Sequence, residues 1–170
     1  MVVCLSSFMA RRDAILKEGG FDTRLLYSQD SEFMFRLATT IGFCYVNRPL
    51  VLFDRSPVED RHVGVSSAWN KMEFFLEDSQ TRLEGLLRLT KDQPAAIRNL
   101  VRQQLGSVHS GWVNCHLEAG EYGKARTSAL KAVHMNPTFN VAAKWLLTWV
   151  SPRLALRTVQ RRKERENSVA

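Results

Sequence analysis

Two carboxylates stand at the start of an apolar helical pattern in the stretch Gly19–Ala38, GGFDTRLLYSQDSEFMFRLA. They belong to Asp30 and Glu32. A carboxylate held at a helix start beside a cleft can take a proton from a hydroxyl group and act as a general base. Acidic residues in a first turn also stabilise the helix itself, because they face free N–H groups and the positive end of the macrodipole. The local sequence therefore leaves a catalytic base and a helix cap as alternatives.

The residues around these carboxylates predict an α/β segment. Met1–Leu5 is typical of a buried strand, and Arg11–Glu18 is typical of a short helix that ends at a glycine pair. A second helix is expected from Asp30 to Ile41, where apolar residues recur at helical spacing. Phe43–Phe53 then predicts two short strands or one bent edge strand.

The pattern becomes helical throughout after the polar segment Asp54–Ser66. The predicted helices are Ser67–Lys91, Pro94–Gly106, Ser107–Ala119 and Val141–Val150. We therefore expect two parts, an α/β fragment over 1–66 and an all-α extension over 67–170.

One stretch of the extension has a recognisable repeat pattern. Gly120–Pro137, GEYGKARTSALKAVHMNP, places a glycine, a tyrosine, alanines and a closing proline as in the second half of a tetratricopeptide repeat. Trp112 and Cys115 suit the apolar and small positions of the first helix of that unit. No matching pattern occurs about 34 residues earlier, the length of one repeat. A single helix pair cannot bury its own faces, so it must pack on neighbouring helices or on another chain.

The length and composition are those of a globular protein with one domain, or with a small module and an appendage. The 170 residues are 45% hydrophobic and carry a formal net charge of +7. Ser151–Ala170 contains six basic and two acidic residues. More than half of the positive charge is therefore concentrated at one end of the chain.

The cysteines indicate a reducing compartment. Cys4, Cys44 and Cys115 are far apart and form no CxxC or Cys/His cluster that could hold zinc. No apolar run approaches the ~20 residues that a helix needs to cross a bilayer, and no signal-peptide pattern begins the chain. We expect a cytoplasmic protein, with peripheral contact at the inner face of the membrane left open.

Leu5–Phe53 resembles the last third of a family 2 glycosyltransferase catalytic domain of the GT-A type. In that family a strand is followed by an Arg-Arg helix, a Gly-Gly-Phe-Asp turn, an acidic pair that opens a helix, a downstream arginine and a Pro-Leu strand. The corresponding residues are Ser7, Arg11-Arg12, Gly19-Gly20-Phe21-Asp22, Gln29-Asp30, Arg36 and Pro49-Leu50.

The resemblance implies inverting transfer of a sugar from a nucleotide-sugar donor to a hydroxyl of a glycan or lipid acceptor. Asp30 would be the general base, and Gln29 stands where the family has a glutamate. Gln29, Asp22 and His62 would contact substrate, although Asp22 also suits a turn and His62 an exposed loop. The family implies a divalent metal, Mg²⁺ or Mn²⁺, but its Asp-x-Asp motif does not occur in this sequence. We therefore expect the donor-binding half to be missing and the isolated chain to be inactive.

A noncatalytic reading of the same sequence is a helical protein-interaction module built on the tetratricopeptide-like pair. The basic tail offers a further contact, because Arg157, Arg161 and Arg165 recur at helical spacing beside Leu154 and Val159. That pattern suits an anionic membrane surface. It disfavours nucleic acid, since the tail has no aromatic residues on which bases could stack.

Overall fold

The computed structural model describes residues 8–44, 46, 48 and 72–167, without the side chains of 162, 163 and 165–167. Within that part of the chain all regular structure is helical. The helices are α1 (Arg12–Lys17), α2 (Gln29–Thr40), α3 (Met72–Leu89), α4 (Ala95–Glu118), α5 (Tyr122–Met135), α6 (Phe139–Val150) and α7 (Pro152–Asn167).

The prediction of an α/β fragment over 1–66 is wrong, because the described residues contain helices and no strand. α2 buries Phe33, Met34 and Leu37, and it packs against α3 instead of a sheet. The predicted strand Met1–Leu5 lies outside the described residues, and the described members of Phe43–Phe53 are not in a strand. A 3.6-residue apolar period requires burial but does not say whether a sheet or a helix provides the cover.

The first two helices are joined by a turn that begins at a glycine pair. Gly19 and Gly20 have φ angles of 76° and 75°, in the left-handed region where a residue with a Cβ is strained. They end α1 and send the chain back towards the start of α2. Leu25, in the same connection, is fully buried.

α3 and α4 form the main core, and α2 closes one side of it. The buried residues of this core are Leu76, Leu83, Leu86, Val101, Leu105 and Val108. Phe35 of α2 packs against them. The expected boundary in Asp54–Ser66 lies outside the described residues, and the division at 66/67 stays a prediction.

α4 is one continuous helix where the sequence predicted two, with Gly106 as the stop between them. Gly106 is instead a contact point: a Cβ added there would lie 2.6 Å from the Cβ of Asn136. Gly111 is similar, since an added Cβ would lie 2.6 Å from Cδ2 of Leu76. The two glycines let α4 approach α5 on one side and α3 on the other.

α4 and α5 are the pair in which the sequence places the tetratricopeptide-like residues. The connection turns at Gly120, whose φ is 74°. Ala125, Ala129 and Ala132 are buried along α5, so their small side chains allow the two helix axes to approach closely. α6 then packs on α5, and α7 returns to contact both α6 and α4.

A second core joins these later helices. Its buried residues are Val113, Leu117, Ala125, Ala129 and Ala155. Trp145 and Leu147 of α6 and Leu156 and Val159 of α7 pack against it. The helices from α2 onwards therefore form one packed series, each contacting the next along the chain.

Candidate functional site

A buried carboxylate and a largely buried guanidinium hold the connection between α1 and α2. The first is Asp78 on α3, whose side chain reaches about fifty residues back along the chain. Its Oδ1 accepts from the backbone N–H groups of Leu26 at 2.7 Å and Tyr27 at 3.2 Å. Its Oδ2 accepts from the N–H of Ser28 at 3.1 Å and from the Ser28 hydroxyl. A buried carboxylate needs this many donors to offset its lost hydration.

The second is Arg36 on α2, which forms a two-armed ion pair with Glu32 one turn earlier. Nε to Oε1 is 2.9 Å and Nη2 to Oε2 is 3.0 Å. The same guanidinium donates to the carbonyl of Glu18 and, at 2.6 Å, to that of Gly20. The hydrogen bonds to Glu32 raise the pKa of Arg36, so it stays charged. Arg36 therefore fixes the end of α1 to α2.

A cleft of about 380 Å³ opens between this connection and α3. Its lining combines the turn with one face of α3 and consists of Gly19, Gly20, Phe21, Asp22, Arg24, Glu32, Arg36, Thr81, Arg82, Gly85, Arg88 and Leu89. Four arginines meet two carboxylates there. The lining itself therefore carries a formal net charge of +2, while Asp78 and Asp30 lie close enough behind it to act on Arg82.

Both carboxylates in the cleft are already paired. Glu32 is held by Arg36 as described, and Asp22 accepts from Nε of Arg24 at 3.0 Å and from Nη2 at 2.6 Å. These hydrogen bonds from the Arg24 side chain are the main reason why the pKa of Asp22 falls to about 2. Asp22 also accepts from the backbone N–H of Arg24 at 3.0 Å, which makes it a turn residue.

The other two arginines of the cleft have no such partner among the described residues. Arg82 has a buried Nε without a hydrogen-bond acceptor, and burial lowers the pKa of its guanidinium. The exposed Arg88 extends over Gly85, its Nη2 lying 4.0 Å from where a Cβ would stand on that glycine. Neither guanidinium forms an ion pair with a described carboxylate.

The residues predicted from the sequence to act together are not gathered in this cleft. Asp22 lines it, whereas Asp30 and Gln29 do not. Asp30 accepts from the backbone N–H of Ser31 at 2.6 Å in the first turn of α2, and Gln29 donates to the carbonyl of Leu25. His62 lies outside the described residues. The contacts of Asp30 are those of a residue at a helix start.

A different surface is apolar and is not covered by the part of the chain that the structure describes. On α6, Phe139, Leu146 and Val150 are 86%, 55% and 74% exposed, and Ala143 between them is exposed as well. Steps of four, three and four residues place these side chains on one stripe of a helix. The stripe lies opposite the fully buried Thr148. We call these four residues the outward face of α6.

The only charged residue of α6 is Lys144, and it lies on the inward side of the helix. Lys144 donates from Nζ to the carbonyl of Ser110 at 2.8 Å and to its hydroxyl at 3.0 Å. Trp145 packs into the second core beside it. α6 is thus apolar on both sides, which in a globular protein is typical of a helix covered on both sides.

α7 does not provide the missing cover. It packs inward through Ala155, Leu156 and Val159, and it presents Arg153, Arg157 and Arg161 to solvent. The exposed Trp149 at the edge of α6 is covered only in part, by the guanidinium of Arg126 at 5.0 Å from the ring centroid. Arg126 therefore places a positive charge beside Trp149.

Comparison of the chain with protein-family models, with curated proteins and with solved structures finds no match. The resemblance of Leu5–Phe53 to a GT-A glycosyltransferase is thus contradicted, since no family model supports it and the described residues lack the strands it requires. The argument for Asp30 as a general base depended on that resemblance and loses its support. In the described part of the chain no helix is long and apolar enough to span a bilayer, and no group of three or more His, Cys, Asp or Glu residues could hold a metal ion.

Two features of these surfaces were missed from the sequence. The pairing of Asp78 with Leu26–Ser28 leaves no local pattern, because the partners are about fifty residues apart. The outward face did leave a signal: FNVAAKWLLTWV contains one charged residue in twelve, which already predicts a helix without a solvated side.

Proposed function

We propose that this chain is a noncatalytic protein-interaction module that binds an acidic amphipathic helix of a partner protein along the outward face of α6. The observation that carries the proposal is the uncovered apolar stripe of Phe139, Ala143, Leu146 and Val150. Clusters of exposed apolar residues with a polar border mark interaction surfaces. Helix-in-groove recognition uses the same spacing of anchors.

A helix is the occupant that suits the position of this face. α4, α5 and α6 pack in sequence, and the outward face of α6 is where a further helix in the series would lie. α7 turns back to contact α4, so no helix of the described residues occupies that position. α6 has 12 residues, so the face is about 18 Å long and matches three turns of a bound helix.

The charges near the face select for an acidic partner. Arg153 lies in the first turn of α7 and is exposed, and Arg126 lies over the ring of Trp149 at the edge of α6. Asp or Glu residues on the bound helix would meet them and speed association. A second copy of the chain is less suitable, because a two-fold contact brings the same basic residues of both copies close together.

Selection from random peptides of about 16 residues, long enough for four helical turns, tests the proposal without a known partner. The full chain is the bait, and Leu146→Glu is the counter-selection. We expect enriched peptides with apolar residues at i, i+4, i+7 and i+11 and with Asp or Glu beside them. The peptides should bind the Leu100→Glu control with the wild-type affinity, because Leu100 is 62% exposed and belongs to α4, outside the outward face of α6.

Two further measurements separate the competing occupants. The amount of protein that sediments with vesicles containing phosphatidylserine should be the same for the wild type and for Leu146→Glu. Analytical ultracentrifugation should also give the same mass for both proteins. Binding to vesicles that Leu146→Glu abolishes would identify a membrane surface instead. Self-association that Leu146→Glu abolishes would identify a second copy. Either result, or enrichment independent of Leu146, would overturn the proposal.

A further inference from the structure

The cleft between the α1–α2 connection and α3 contains positive charge that the described protein does not neutralise by contact. We propose that it binds a small phosphate monoester through Arg82 and Arg88. This inference does not depend on the docking surface of α6, because the cleft is lined by the Gly19–Arg24 turn, α2 and α3.

The unsatisfied state of Arg82 is the first argument. A buried guanidinium is stabilised by an acceptor for its N–H groups, and the Nε of Arg82 has none. Three carboxylates influence its charge from nearby, those of Asp78, Asp30 and Glu32. The oxygens of Asp78 and Glu32 accept from the 26–28 backbone and from Arg36, and Asp30 accepts from Ser31. No ion pair or hydrogen bond joins Arg82 to any of these three carboxylates, and Arg82 lines the cleft.

The second argument is the shape of α3 where it faces the cleft. Arg82, Gly85 and Arg88 are separated by three residues each, so they occupy an arc of about 120° with the glycine in the middle. A Cβ at Gly85 would meet only Nη2 of Arg88, at 4.0 Å. The glycine thus leaves a notch between two guanidinium groups, and such groups bind phosphate oxygens in a two-armed geometry.

The third argument concerns the size and the apolar part of the cleft. A volume of about 380 Å³ lies within the usual range for small-molecule sites, roughly 300–1,000 Å³. Phe21 and Leu89 line it and are 45% and 44% exposed. They offer apolar contacts to the organic portion of a monoester while the arginines hold its phosphate.

Titration with phenyl phosphate, followed by amide NMR shifts, tests this proposal. Saturable shifts at Gly19, Gly20 and Gly85 are expected, with phenol as the uncharged control giving none. Arg82→Gln should weaken binding by about tenfold or more, the usual effect of losing a hydrogen bond to a charged group. Arg88→Gln should weaken it less, because water screens an exposed charge. Arg12→Gln removes the same charge from an exposed site on α1, outside the cleft, and should leave the affinity unchanged.

The Gly85→Leu variant separates a loss of binding from a loss of folding. Leucine favours a helix more than glycine does, so this variant should be at least as stable as the wild type in thermal melts, while its side chain fills the notch and abolishes binding. The proposal would be overturned if phenyl phosphate caused no saturable shifts in the cleft, if phenol bound equally well, or if folded Arg82→Gln and Gly85→Leu retained the wild-type affinity.

Discussion

At the scale of single residues, Arg36 connects more of the structure than any local pattern suggests. Its guanidinium contacts Glu32 and the carbonyls of Glu18 and Gly20, and its side chain is only 16% exposed. It also lies 5.4 Å from the ring centroid of Phe33. The spacing to Glu32 is readable from sequence as an i,i+4 pair, but the two carbonyls are not.

Replacing Arg36 by methionine should lower the free energy of unfolding by about 3 kcal/mol, because it leaves the buried Glu32 carboxylate without its partner. Urea denaturation measures this loss. Arg12→Met at an exposed site should change stability by less than about 0.5 kcal/mol. The double change Arg36→Met with Glu32→Leu should recover part of the loss, since it removes the unpaired charge. A full-sized loss in Arg12→Met, or no loss in Arg36→Met, would refute the role given to this pair.

Asp22 should titrate with a midpoint near its folded pKa of about 2. The folded pKa is lowered, so between about pH 4, the ordinary value for aspartate, and pH 2 the unfolded chain binds more protons than the folded one. The stabilising contribution is therefore present above about pH 4 and is lost as the pH falls through 2. It should be at most about 1 kcal/mol, because Arg24 is largely exposed.

NMR titration of the Asp22 carboxyl carbon measures this pKa directly. In Arg24→Gln the midpoint should return towards about 4, the value for an unpaired aspartate. A midpoint near that value in the wild type would show that Arg24 does not hold the carboxylate in solution.

At the scale of elements, the helices of the described part follow from apolar periodicity, but their partners do not. The sequence predicts a helix from Asp30 to Ile41, and α2 spans Gln29–Thr40. The covering surface of α2 was taken to be a sheet because the neighbouring Phe43–Phe53 is rich in strand-forming residues. Local sequence does not encode which surface covers a helix, and here α3 covers it.

The structural role of a glycine is also hard to predict from local sequence, because it depends on what the residue contacts in the fold. The Gly19-Gly20 pair is expected to end a helix and does so with positive φ angles, whereas Gly106 is expected to end a helix and instead permits contact with α5. The two uses look alike in a single sequence, because each depends on the absence of a Cβ, in one case for a positive φ and in the other for a close helix contact.

Two matched substitutions in the α4–α5 pair should have opposite effects on stability. Gly106→Ala places a Cβ 2.6 Å from that of Asn136 and should destabilise by about 2 kcal/mol, since overpacking outweighs the gain in helix propensity. Gly123→Ala on α5 meets nothing within 4 Å and should stabilise by about 0.5–1 kcal/mol. Thermal or urea unfolding measures both. Equal effects of the two changes would mean that the close approach at Gly106 does not exist in solution.

At the scale of the whole molecule, the described chain is a packed helical series with one apolar side left open. Its two cores account for the inward faces of α3 to α7, and α7 exposes Arg153, Arg157 and Arg161 to solvent. Charge concentration at the end of the chain could be read from composition. The direction in which α7 turns could not, because it depends on the packing of Ala155, Leu156 and Val159 against α4 and α6.

The central claim is that the outward face of α6 is occupied by a helix of another protein. The most direct measurement places a photo-reactive amino acid at Leu146 of the full chain, crosslinks in the native cell, and identifies the attached peptide by mass spectrometry. The account predicts attachment to an acidic segment of another protein. The same photo-reactive group at Leu100 should not attach to that segment. A synthetic peptide of the segment should bind the wild type but not Leu146→Glu. Attachment only to lipid or to a second copy of the chain, or equal attachment from both positions, would contradict it.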